Sequence, residues 1–418
     1  MLLSSTMAVQ PVPGWRRSVA DLGVADAVAQ QTGSLRFGEG PDPLWSEPFI
    51  GSVQDRAYFM ITTTTGERRW WLAGLGAQDG RPLFAPLALP AAFPPKCFLN
   101  GPDRVLCIAS GEPDAAWVVD AKTGSVLYQG PTDLSLNPGH LGVEQVGDYA
   151  VAGKMDEGIY GIGDTANTTW FVPGDGRVGN GIGWTNVAPQ VLATQVTGGR
   201  GSDRMVVFSL HDGKVLDYGL SDDLMPMSAV VYPGGFAVEV APKSPAPTPS
   251  ALWFFDTSGK RLGQSVASGS LDTLTRDLPI TYSARRATVY SNEGYPLARI
   301  TGFDPGWGVL LLGTRLFVNQ SKSQSGDQWQ EYDLDTGEKG QICETNLSGL
   351  VGSDGRTAVF DSGTPAIGRK TRGVDIATCT ERWSHTSAVG SFRDVWRAGT
   401  TLVQLSDDGT ELTSLVAP

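Results

Sequence analysis

The sequence is poor in charge, in histidine and in cysteine, and each shortage excludes something. Charged residues make up only 18% of the 418, with Lys+Arg 32 against Asp+Glu 44 for a net charge of −12. A surface of that sign repels phosphate, so nucleic acid and anionic lipid are poor partners for it. No apolar run reaches the roughly 18 residues that a membrane-spanning helix requires. The only histidines are His140, His211 and His385, and no two of the four cysteines form a C-x-x-C, so no zinc site is expected. Helical periodicity is missing too: residues 20–31 (ADLGVADAVAQQ) form the one stretch that reads as a short helix. What is abundant is Gly (53) and Pro (27), too many for a helical protein and suited to a chain of short strands and frequent turns.

Residues 115–130 (AAWVVDAKTGSVLYQG) show the unit of that chain. An apolar run through Trp117, Val118 and Val119 meets a turn, Asp120 to Gly124, and a second apolar run follows through Val126, Leu127 and Tyr128. This is a β-hairpin: the Asp120 carboxylate can accept from the amides of its own turn, and Gly124 supplies a positive φ at no steric cost. Similar turns recur, ending at residues 80, 124, 167, 213, 259, 294, 337, 379 and 409, with successive spacings of 44, 43, 46, 46, 35, 43, 42 and 30. A period of roughly 40–45 residues built of strands alone is the signature of β-propeller blades.

The reading is therefore all-β: a single propeller of four-stranded antiparallel blades over residues 34–418, preceded by an N-terminal lead, 1–33. The first blade is expected at 44–53, 56–63, 69–75 and 81–87, and the second at 96–100, 104–110, 115–120 and 125–129. The unit near 278–300 is short and reads as having lost a strand. The last, 392–417, supplies three strands, and the economical way to close the ring is an N-terminal strand at 15–19 or 34–37. Eight blades is the first expectation and seven the alternative. Residues 241–250 (APKSPAPTPS) hold four prolines and read as an exposed insertion.

Cys97 and Cys107 flank a Gly-Pro-Asp turn in CFLNGPDRVLC, which places them opposite one another and within disulfide reach. Cys343 closes one repeat and Cys379 sits in the turn of the next, so these two could staple neighbouring blades, with four buried thiols as the alternative. Disulfides would imply an oxidising, exported location. The N-terminus, MLLSSTMAVQPVPGWRR, lacks a charged lead and a long enough apolar run for a signal peptide, which leaves open a removed signal or anchor, or a start further upstream.

The pattern at 117–128, echoed by YDLDTGE at 332–338 and VVFSLHDGKVLDY at 206–218, resembles the quinoprotein-type (PQQ-like) propeller repeat. That superfamily holds quinone-dependent dehydrogenases and non-enzymatic envelope proteins such as BamB. The dehydrogenases carry a vicinal cysteine pair and a calcium-holding carboxylate set. Neither can be mapped here, so the resemblance implies the scaffold, on the non-enzymatic side, and no cofactor.

No residue is assigned a catalytic, cofactor-binding or metal role. The recurring Asp120, Asp212, Asp256 and Asp335 read as turn caps rather than calcium ligands, since they return once per repeat. Trp117, Trp253 and Trp329 read as packing between blades. Trp70 and Trp71 must point to opposite faces of a strand. Trp184 (GIGWTN) and Trp307 (DPGWGV) fall in Gly-rich junctions and are the candidate rim contacts. The functional expectation is a non-catalytic, extracytoplasmic propeller in the periplasm or cell envelope. It would act as a protein-binding scaffold for membrane-associated partners in an assembly or transport complex. The alternative is a quinoprotein-like oxidoreductase, or a propeller that binds or hydrolyses glycan.

Overall fold

The computed structural model describes residues 12–24, 35–40, 42–45, 47–179, 190–197, 204–243, 250–267, 269–274, 277–302, 308–320 and 328–416. They form nine separate β-sheets, numbered here in the order of the turns that mark them. Sheet 1 spans residues 35–89, sheet 2 spans 96–131, sheet 3 spans 134–173 and sheet 4 lies within 192–215. Sheets 5 to 8 span 224–266, 270–301, 309–343 and 350–386, and sheet 9 joins 395–416 to 12–18. Apart from one short parallel pairing, Leu134–Ser135 with Leu141–Val146, every ladder is antiparallel.

The expected eight blades, or seven, are corrected to nine. Each of the nine recurring turns joins neighbouring strands of a different sheet, so the number of turns is the number of sheets. The two short spacings caused the undercount. Within 270–301 a tight turn with Ala284 and Arg285 at φ +45° and +67° lets four strands fit. In sheet 9, Val12–Ser18 pairs with Glu411–Val416 and supplies the fourth strand. That strand begins earlier than the expected 15–19, and its role is local: no ladder among the described residues runs from one sheet to the next. The expected helix at 20–31 reduces to a single 3₁₀ turn, Val19–Leu22, ended by Gly23; residues 25–31 lie outside the described ones.

The chain divides into two compact units. One comprises Met1–Asp133, Asp164–Ala166 and Ser348–Pro418 and holds sheets 1, 2, 8 and 9. The other comprises Leu134–Gly163 and Asn167–Leu347 and holds sheets 3 to 7. In the first unit, strand alternation decides which core each side chain joins. Along Arg56–Thr63, Ala57, Phe59 and Ile61 pack with Val403, Leu405 and Leu412 of sheet 9. The intervening Tyr58 and Met60 pack with Leu99, Val105 and Trp117 of sheet 2. The strand is buried on both faces, so its middle, Ala57–Ile61, carries apolar or aromatic side chains on alternate faces, and the buried polar residues Arg56, Thr62 and Thr63 are confined to its ends. Trp70 and Trp71 follow the same rule: both are buried, one in each core, and neither is available to a ligand. The second unit repeats this in smaller clusters, such as Phe236 stacked on Phe255 with ring centroids 4.7 Å apart.

The turns work as the sequence suggests, with two changes of residue. Asp120 Oδ1 accepts from the amides of Lys122 and Thr123 at 2.9 and 2.8 Å, and Gly124 takes φ +69°. In sheet 7 the cap is Asp333, whose Oδ1 accepts from the amides of Asp335 and Thr336 at 2.9 and 3.0 Å; Asp335 itself is exposed within the turn. In sheet 4, Ser209 holds the place of Asp120, its carbonyl accepting from the amide of Gly213 and its hydroxyl from that of His211, while Asp212 Oδ1 accepts from the amide of Lys214 at 3.2 Å, as expected of a turn cap. In sheet 8, Asp375 caps and Cys379 takes φ +56°, the position a glycine fills elsewhere.

Candidate functional site

The residues singled out from the sequence have distinct fates. Cys97 and Cys107 are directly opposite on Lys96–Leu99 and Arg104–Ala109 and are disulfide-bonded, with Cα atoms 4.0 Å apart. Cys343 and Cys379 are also in disulfide linkage, and no described cysteine is free. Trp117 and Trp329 are buried in the cores. Trp253 is half-buried, with the Arg261 guanidinium 3.6 Å above its ring. Trp184 and Trp307, the candidate rim contacts, lie outside the described residues. The Asp120, Asp256 and Asp375 carboxylates are held below the ordinary range by the hydrogen bonds they accept, Asp120 first from the amide of Thr123, Asp256 from the Ser258 hydroxyl and Asp375 from Arg382. A carboxylate so engaged is a structural group.

Two other arrangements carry more chemistry, both at sheets 8 and 9 in the first unit. The first is a polar clamp. Asp361, on Thr357–Thr364, accepts from Arg369 Nη1 at 3.2 Å and from the Thr371 hydroxyl at 2.9 Å. The same guanidinium reaches Asp394 Oδ2 at 2.9 Å, just before Val395–Ala398 begins. One arginine thus ties sheet 8 to the segment entering sheet 9. Burial raises the Asp394 carboxyl well above its usual range, opposed by Arg369 and reinforced by Asp361. With the Asp361 side chain 6% exposed, the pair is a closed structural contact rather than one open to substrate.

The second is a cleft of about 710 Å³, whose residues lie at the opposite end of the same strands. Apolar side chains of Val359, Leu402 and Leu415 line it together with Trp383. Three arginines meet there: Arg356 from the turn between the first two strands of sheet 8, Arg382 from Thr380–Thr386, and Arg397 from Val395–Ala398. Arg382 forks onto Asp375 Oδ2, through Nε at 2.9 Å and through Nη2. Arg397 donates from Nε to the Gly399 carbonyl at 2.9 Å. Among the described residues, no carboxylate is within ion-pair distance of Arg356 or Arg397.

The sequence reading passed over these arginines. The available signal was charge asymmetry. Residues 348–418 hold seven Lys+Arg and eight Asp+Glu, a net of −1, which leaves −11 of the chain's −12 to the remainder.

A propeller of nine sheets with these features has relatives. The whole chain, residues 1–418, matches the conjugation-associated 9-bladed beta-propeller domain family and belongs to it. It is similar to an uncharacterized protein of Mycolicibacterium smegmatis (strain MKD8), 40% identical over 431 residues that span 100% of this chain and 87% of the relative. Among solved structures, the computationally designed Ika8 protein is 12% identical with a TM-score of 0.39, covering 75% of this chain and 93% of that one. BamB from Moraxella catarrhalis is 15% identical with a TM-score of 0.30, covering 97% and 99%. At those TM-scores neither likeness bears on function.

Proposed function

We propose that this propeller is a non-catalytic, protein-binding scaffold working outside the cytoplasm, in a cell-envelope complex associated with conjugation. Membership of the conjugation-associated nine-bladed family over the full chain carries the reading. Two features support it. Recurring turn carboxylates are engaged by their own turns, so they offer no acid, base or metal set. The cysteines are in disulfides, as suits an oxidising compartment. No helix among the described residues is long and apolar enough to cross a membrane. The PQQ-like character of the repeat at 117–128 belongs to the same reading.

The test is deletion of the gene in a conjugating host, with plasmid-borne complementation. Transfer frequency should fall with deletion and return with the wild-type protein. Unchanged transfer would remove conjugation from the proposal.

A further inference from the structure

We propose that the cleft at sheets 8 and 9 is a docking site for an acidic peptide segment of a partner protein, gripped through Arg356 and Arg397. The proposal rests on the protein-binding reading above and gives the partner its chemistry. The cleft's volume, about 710 Å³, falls among pockets that enclose a small ligand or a few residues of extended chain. Its walls are apolar, from Val359, Leu402 and Leu415, so side chains of a peptide gain by entering.

Charge sets the sign. Arg382 is already neutralised by Asp375 and serves as wall. Asp354, the lone acidic residue lining the cleft, accepts from the amides of Arg356 and Thr357 at 2.8 and 2.6 Å, so its carboxylate is turned to its own loop. Arg356 and Arg397 are both exposed. They present forked donors suited to carboxylate oxygens at the edge of an apolar slot. Two such cations above apolar walls match a segment that alternates acidic and apolar residues. A nucleic-acid strand would need a longer basic track and stacking platforms than this cleft, with two arginines free of carboxylate partners among the described residues, provides.

The experiment is fluorescence anisotropy on the full chain at low and at physiological salt. Its probes are a short fluorescein-labelled peptide of alternating glutamate and leucine, the matching glutamine peptide, and a labelled thymidine oligonucleotide. The glutamate peptide should bind about tenfold or more tightly than the glutamine peptide, and more weakly as salt rises. Arg356→Glu with Arg397→Glu should abolish that preference, and Leu402→Trp should block binding with the arginines intact. Because Arg356 and Arg397 are exposed, circular dichroism and melting of the double variant should match wild type. Equal binding of the two peptides, an unaffected double variant, or preference for the oligonucleotide would each overturn the proposal. Affinity capture from the host separates the two levels. A partner set retained by the double variant would refute the cleft and leave the scaffold standing, whereas no partner set for wild type would refute the scaffold itself.

Discussion

The indole of Trp15 donates from Nε1 to the Ala77 carbonyl at 3.0 Å, which joins the strand completing sheet 9 to the turn of sheet 1. The ring also lies over Gly80, where a Cβ would come within 2.5 Å of it at a backbone φ of +64°. Arg17 adds a bond from Nε to the Gly80 carbonyl at 2.8 Å. This one side chain therefore supplies packing, a hydrogen bond and a reason for glycine in the facing turn.

Trp15→Ala should cost about 2–3 kcal/mol in chemical denaturation, through lost burial and an orphaned carbonyl. Gly80→Ala should be destabilising as well, because the new methyl meets the indole and the backbone is left-handed. A loss of less than about 0.5 kcal/mol in both would show that the contact is incidental.

The turn of sheet 7 separates two neighbouring aspartates. Asp333→Ala removes the acceptor of two amide bonds and should cost about 1 kcal/mol, whereas Asp335→Ala should be nearly neutral. Thermal melts of the two variants decide it, and the reverse order would contradict the assignment.

Cys97 and Cys107 are 7% and 0% exposed, so the linkage is shielded in the folded chain. Non-reducing peptide mapping should recover Cys97 joined to Cys107. A mild reductant should leave the pair unlabelled by alkylating reagent until denaturant is added. Labelling of both thiols in the native protein without reductant would remove the argument for an oxidising compartment.

Stability should fall as pH rises from about 5 to 7.5. Burial, reinforced by Glu47, pushes the Glu39 carboxyl up to about 7, and burial pushes Asp277 up to about 6. The folded state then keeps protons that the unfolded chain has released above its usual carboxylate range, so the folded state is favoured on the acid side and loses that advantage through the raised values. His385 opposes this weakly, because burial and Arg393 lower its pKa. Glu39→Gln should flatten the slope by about 2 kcal/mol between those limits, read from urea midpoints across the pH range. A slope of opposite sign in wild type would refute the assignment.

The repeat was the legible part of this chain. An Asp-to-Gly turn is local chemistry, so its spacing could be read directly, and the strands of sheet 2 fall at 96–99, 104–109, 115–120 and 126–131, within about two residues of expectation. The blade count failed where completeness depends on distant pairing: an N-terminal strand at 15–19 is one of two partners expected for the last strands, but only the structure chooses between them and shows that Val12–Ser18, paired with Glu411–Val416, completes a ninth sheet. The same limit hid the cleft. Arg356, Arg382 and Arg397 sit in separate stretches, and only the stacking of the final strands of the chain brings them to one cavity.

The most direct test of the scaffold is crosslinking of the tagged, full-length protein in its native host, followed by affinity capture with the membrane fraction included. A stoichiometric set of envelope proteins, shared with the conjugation machinery, is the predicted result. A clean, partner-free monomer from cells that are actively conjugating would contradict it.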